Sequence, residues 1–266
     1  MEVIKFSQST GIHYFDYNPQ AQRTVLLLHG LGADGSSWAF QFNVLVEAGL
    51  RVIAVDIPGF GKSQPLARRW SVKGASTQIS HLVSDISLSA LTVAGISMGG
   101  VVALQLALDY PGLVERLVLI NTFASLRPRR PSEMVYMLSR FAIANFRGVA
   151  HQADLVAWRL FPQPEKEELR KEMVARILQA NPKMYRQAMI SLGSFNATPR
   201  LRELKMPTLV ISGANDTTVS MVNQKVLASG IAGARHVIIE DAGHAIIVDQ
   251  PERFNLALIS FISEGS

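Results

Sequence analysis

The 266-residue chain contains no cysteine, which removes disulfides, thiolate metal sites and thiol nucleophiles together. It has no window of 18 uncharged apolar residues, the length a membrane-crossing helix needs. Its opening, Met1-Glu2-Val3-Ile4-Lys5-Phe6, lacks the apolar run of a secretory signal, so a cytoplasmic location is expected. Charge is sparse as well. Charged residues make up 18% and apolar residues 48%, the mix of a globular chain with a large core and not of a disordered one.

The formal net charge of +5 at pH 7 raises the question of nucleic acid, and its distribution answers it. Residues 122–200 hold 13 of the 26 basic residues but only 6 of the 21 acidic ones, so the remainder of the chain is slightly acidic. That segment reads as helical with a solvated basic face, and a preference for anionic substrates is the lesser alternative. The expected partner is a small-molecule substrate, with no nucleic acid and no membrane insertion, for a monomer or homodimer.

What is present is an alternation of elements. Six short apolar runs, Thr24–Leu28, Arg51–Asp56, Leu91–Ile96, Arg116–Ile120, Thr208–Ile211 and His236–Ile239, read as strands buried on both faces. Helical patterns lie between most of them, at Trp38–Ala48, Met98–Asp109 and Met221–Ser229. Strands alternating with helices predict a parallel α/β sheet. Val3–Ser7 and Ile12–Tyr17, around Thr10-Gly11, read as an antiparallel hairpin at its edge. The rhythm breaks between 122 and 200, where no strand-like run occurs. Glu165–Gln179 reads as a helix with Leu169, Met173, Ile177 and Leu178 along one apolar stripe, and Ser132–Phe146 as a second amphipathic helix. The predicted organisation is a core of 1–121 and 201–266 with a helical insertion at 122–200.

Chemistry concentrates at Leu91-Thr92-Val93-Ala94-Gly95-Ile96-Ser97-Met98-Gly99-Gly100, a strand, then Gly-x-Ser-x-Gly, then a helix. A serine on so tight a turn stands exposed above the sheet, and its neighbours two before and two after must be small. Gly-x-Ser-x-Gly alone recurs by chance in glycine-rich turns; the flanking strand and helix give it weight. Serine is a weak nucleophile near neutrality and needs a histidine base oriented by a carboxylate. Among six histidines, His236 begins an apolar strand and reads as structural. His244, just past the C-terminal end of a strand, is the candidate base. Asp216 follows strand Thr208–Ile211 and is the candidate acid. Asp241 and Asp249 lie too near His244 in sequence, and the end of the preceding strand carries Asn121 in place of an acid.

A fourth feature is Leu28-His29-Gly30-Leu31-Gly32, a strand ending in His-Gly-x-Gly. An oxyanion intermediate needs backbone N–H donors, each worth roughly 3 kcal/mol, and glycines let a loop turn its amides inward. His29 reads as the residue that orients this loop.

Together these residues resemble the α/β-hydrolase superfamily along the chain apart from the insertion. His29-Gly30-Leu31-Gly32 with Trp38 resembles the family's oxyanion loop, Asp56-Ile57-Pro58-Gly59-Phe60-Gly61-Lys62-Ser63 its Asp-x-x-Gly-x-Gly-x-Ser turn, and Pro251-Glu252-Arg253-Phe254 its last helix. The resemblance implies an α/β fold with a mostly parallel eight-stranded sheet and a helical cap at 122–200. It implies a triad of Ser97, Asp216 and His244, and an oxyanion hole from the amides of Leu31 and Met98. No metal or cofactor is implied. Gly95-Ile96-Ser97-Met98-Gly99-Gly100 is similar to the carboxylesterase and enol-lactonase branch. Ala33-Asp34-Gly35 departs from the Gly-Pro-Gly usual in carbon–carbon bond hydrolases, which remain the alternative, with a non-catalytic ligand receptor below them. Gly30, Gly32, Trp38, Met137, Phe141 and Trp158 are the predicted substrate contacts. Arg127, Arg129 and Arg130 read as an exposed basic loop.

Overall fold

A computed structural model describes residues 3–126, 128, 131, 134–135, 138–140, 142 and 148–264. The sheet has eight strands: β1 (Val3–Ser7), β2 (Ile12–Tyr17), β3 (Thr24–Leu28), β4 (Arg51–Val55), β5 (Leu91–Ile96), β6 (Val114–Ile120), β7 (Thr208–Gly213) and β8 (Arg235–Ile239). Their order is β1-β2-β4-β3-β5-β6-β7-β8. Only β2 runs against the others: it pairs antiparallel with both β1 and β4, while every other pairing is parallel. The expected hairpin and parallel sheet are both present.

The continuous apolar runs have the predicted cause. All residues of β3, β5 and β7 are buried, because helices cover both faces. On one face α2 (Val72–Asp85) and α3 (Met98–Asp109) pack with Leu26, Leu28, Val93 and Leu117. On the other, α1 (Ala39–Glu47) and the C-terminal α9 (Pro251–Ser263) pack with Leu27, Val52, Ala94 and Ile211. Alternate residues of one strand therefore serve two cores. The strand predictions shift by one or two residues: Asp56 lies just beyond β4, while β6, β7 and β8 are slightly longer than read. Trp38–Ala48 divides, since Gly35–Trp38 is a 3-10 turn capped by Asp34, and α1 starts at Ala39.

Between β6 and β7 the described residues form helices and turns, apart from one bridge, Ser125–Asn196. The helices include α4 (Gly148–Leu160), α5 (Glu167–Gln179) and α6 (Pro182–Ser194). The Glu165–Gln179 prediction begins with a 3-10 turn, Pro164–Lys166, and of its stripe Leu178 is exposed. Asn181-Pro182, just past that helix, starts the next: the Asn181 carboxamide accepts from the amides of Lys183 and Met184. The predicted Ser132–Phe146 helix lies largely outside the described residues. Past β7 come α7 (Met221–Gly230) and the short α8 (Ile246–Asp249). No helix among the described residues is long and apolar enough to cross a membrane.

Candidate active site

β5 ends at Ile96 and α3 begins at Met98, so Ser97 alone makes the turn, with φ 54° and ψ −116°. A non-glycine residue holds such a conformation only when its surroundings enforce it. Here the Ser97 amide donates to the Ile120 carbonyl at 2.9 Å, and its carbonyl accepts from the Val101 amide and the Thr122 hydroxyl, at 3.1 and 2.8 Å. A Cβ on Gly95 would lie 2.3 Å from the Gly99 carbonyl oxygen, and one on Gly99 would lie 2.1 Å from that of Leu28. Close backbone approach therefore requires both glycines. Between Leu91 and Gly100 every residue except Ser97 is buried.

His244 Nδ1 lies 2.8 Å from Asp216 Oδ2, with the carboxylate side chain 1% and the histidine side chain 9% exposed. Ionised Asp216 can only accept, so Nδ1 carries the proton and Nε2 has the free lone pair. The carboxylate is itself held. Its Oδ1 accepts from the amides of Thr218 and Val219, at 2.8 and 3.0 Å, and Oδ2 also accepts from Gln224 at 3.2 Å. Gln224, on α7, escaped the sequence reading because its contact depends on how that helix packs.

The other candidates sit elsewhere. His236 pairs with Ser212 on the neighbouring strand at 2.8 Å, and burial lowers its pKa. Asp249 accepts from the Gly243 amide at 2.6 Å and pairs with Lys166, which reaches it from the insertion. Asp241 occupies a left-handed turn position with φ 61°.

The loop after β3 is organised by His29, as predicted. Its Nε2 lies 2.9 Å from the Ile57 amide, which can only donate, so Nδ1 holds the proton and donates to the Gly30 carbonyl at 2.8 Å. The ring is fully buried, and desolvation pushes its pKa below the ordinary histidine value. Asp56 ties the neighbouring turn, accepting from the amides of Gly35 and Lys62, both at 2.8 Å, and pairing with His13. Asp34 receives the Ser36 amide and hydroxyl, and Arg176 of α5 at 2.9 Å. Burial alone would raise the Asp34 pKa, but the Ser36 and Arg176 contacts outweigh it and the net shift is downward.

Ser97 and His244 both line one cavity of about 1030 Å³, counted with its open mouth. Gly30, Leu31, Phe40 and Ile247 from the core face Val156, Leu160, Phe161, Leu169 and Met173 from the inserted segment. Met98 opens α3, whose first-turn amides have no intrahelical acceptor. The predicted substrate contacts divide. Gly30 lines the cavity; Gly32 does not, and instead lies beneath Ile177 and Tyr185. Trp38 is fully buried, packed near Phe254 with ring centroids 6.3 Å apart, so the tryptophan belongs to the core. Trp158 is 59% exposed, with the Arg170 guanidinium 4.2 Å from its ring centroid, and is not among the residues that line the cavity. Met137, Phe141, Arg127, Arg129 and Arg130 lie outside the described residues. The sequence reading did not single out Phe40, Arg140 or Arg176, which line the cavity among the described residues.

Comparison with known proteins agrees with this architecture. The family model described as alpha/beta hydrolase fold matches residues 23–251. The 2-hydroxy-6-oxononadienedioate/2-hydroxy-6-oxononatrienedioate hydrolase of Escherichia coli (strain K12 / DH10B) is 31% identical, over 99% of this chain and 94% of that protein. The enol-lactonase of Burkholderia xenovorans LB400 superposes with a TM-score of 0.88 at 24% identity, over 98% of this chain and 100% of that one. A thermophilic esterase of Thermogutta terrifontis gives 0.82 at 27% identity, over 98% of each chain. The eight-stranded order, the single-residue serine turn and the family match together place the chain in the alpha/beta hydrolase fold family.

Proposed function

We propose that the protein is a serine hydrolase that cleaves a carboxylic ester or lactone of small to medium acyl size. The observation that carries this reading is the buried Asp216–His244 pair, whose imidazole lines the same cavity as Ser97. His244 Nε2 takes the Ser97 hydroxyl proton as Oγ attacks the substrate carbonyl carbon. The carbonyl π electrons move to oxygen, and the amides of Leu31 and Met98 receive the oxyanion. Collapse expels the alkoxide, protonated by His244, and leaves an acyl-enzyme. Water, deprotonated by the same imidazole, attacks that ester and frees the acid and Ser97. Asp216 keeps the proton on Nδ1 and stabilises the imidazolium between steps.

Residues 122–200 serve as a cap in this account. Val156, Phe161, Leu169 and Met173 supply apolar walls opposite Ser97, suited to an acyl chain. A second reading, carbon–carbon bond hydrolysis of a ring-fission diketone, is supported by the printed activity of the Escherichia coli relative. Ala33-Asp34-Gly35 weighs against it. This loop is fixed by Asp34 contacts to Ser36 and Arg176 where such hydrolases usually carry Gly-Pro-Gly. Nitrophenyl esters from acetate to laurate, a lactone panel and a ring-fission diketone, assayed side by side, separate the readings. Ester or lactone turnover with the highest kcat/KM is expected; faster diketone cleavage would overturn the assignment.

A further inference from the structure

We propose that Asn121 is a positioning residue that holds the carbonyl of His244 in fixed register with the strand carrying the acid, an inference that rests on the triad reading above. Asn121 is fully buried at the end of β6, with φ 43°. Its Nδ2 donates to the carbonyls of Gly243 and His244, at 2.9 and 2.8 Å, and its Oδ1 accepts from the Gly213 amide at 2.8 Å. Its own amide donates to Ile211 at 3.0 Å. One side chain therefore joins the end of β7, three residues before Asp216, to the backbone of the histidine itself. The backbone also links the two loops, through the Asn215 amide and the Ala242 carbonyl at 2.9 Å, but that bond stops two residues short of His244.

The residue type follows from the partners. Two carbonyls and one amide N–H demand two donors and one acceptor from a single short side chain, which only a carboxamide supplies at this length. An ionised aspartate would face both carbonyls with like charge, and an aliphatic residue would orphan three buried polar groups. Asparagine also leaves the end of β6 uncharged, so no second carboxylate competes with Asp216 for the imidazole. The adjacent Thr122 hydroxyl holds the Ser97 carbonyl, so residues 121 and 122 touch the loops of all three triad members.

The experiment compares wild type, Asn121→Ala, Asn121→Asp and a control, Val118→Ala, which deletes buried methyls in the same strand. Wild type is first treated with a fluorophosphonate; absence of a Ser97 adduct overturns the triad reading itself. Given the adduct, both Asn121 variants are expected to lose roughly 100-fold in kcat with KM changed by less than about two-fold, as for a misplaced catalytic group. They should also lose the low-field proton resonance of the His244–Asp216 bond, while Val118→Ala keeps both at a comparable melting temperature. A kcat near wild type in either folded variant, an equal loss in the control, or failure of both variants to fold overturns the positioning role and leaves the triad reading in place.

Discussion

Ser97 occupies a backbone conformation that side chains rarely adopt, and the cost is met by neighbours that fit nothing larger than hydrogen. Gly99→Ala places a methyl 2.1 Å from the Leu28 carbonyl oxygen, so soluble protein is expected to fall sharply on expression, where Gly112→Ala, with open space around it, should express normally. Asp216→Asn should preserve folding and lower kcat by about 10⁴, because the carboxamide favours the wrong imidazole tautomer. Gln224→Ala should lower it by far less, since the Thr218 and Val219 amides still hold the carboxylate; steady-state kinetics on one ester checks both. Ser97, Asp216 and His244 are legible as candidates because each follows a readable strand or loop signal. Trp38 and Trp158 were misjudged because aromatic type says nothing about direction: one ring points into the core and the other stacks under Arg170. Asn121 was legible as a place and not as a role, because its partners lie more than 90 residues away.

At the scale of elements, the loop after β3 depends on a neutral imidazole. Nδ1 of His29 donates and Nε2 accepts, so protonation would break the Ile57 contact inside the core. The folded pKa is lower than the unfolded one, so the unfolded chain binds more protons in acid. Stability from His29 is therefore full above the unfolded value of 6.5 and is lost as pH falls toward the folded pKa. His236 shifts in the same direction through burial. Urea midpoints should decline below about pH 6.5, with at most about 1.4 kcal/mol per pH unit from each histidine, less for the half-buried His236. His29→Gln should flatten that decline. Element boundaries were readable where strong signals stand alone, as at β3, β5 and α3. Asn181-Pro182 follows one helix and starts the next, and one local motif cannot announce both. α2 has a mixed polar composition, and its burial depends on packing against α3.

At the scale of the molecule, the inserted segment is tied to the loops that hold Asp216 and His244. Arg159 of α4 donates to the Thr217 carbonyl beside Asp216, and Lys166 pairs with Asp249, which holds the Gly243 amide beside His244. Insertion and core therefore meet beside Asp216 and beside His244, the proposed acid and base. Phe161, 4% exposed, lines the cavity from the insertion. Phe161→Ala should move the preferred acyl length upward by several carbons in the nitrophenyl ester series, with kcat/KM for acetate unchanged or lower. The existence of an insertion was readable from the loss of strand pattern after residue 121. Its inner wall was not, because helix periodicity reports a buried face without saying whether a core or a cavity buries it. The most direct test of the whole account is peptide mapping after fluorophosphonate treatment. Ser97 should carry the adduct, labelling should slow by orders of magnitude in His244→Ala, and Ser97→Ala should lose about 10⁶ in turnover. An adduct on another residue, or ester turnover surviving in Ser97→Ala, would contradict it.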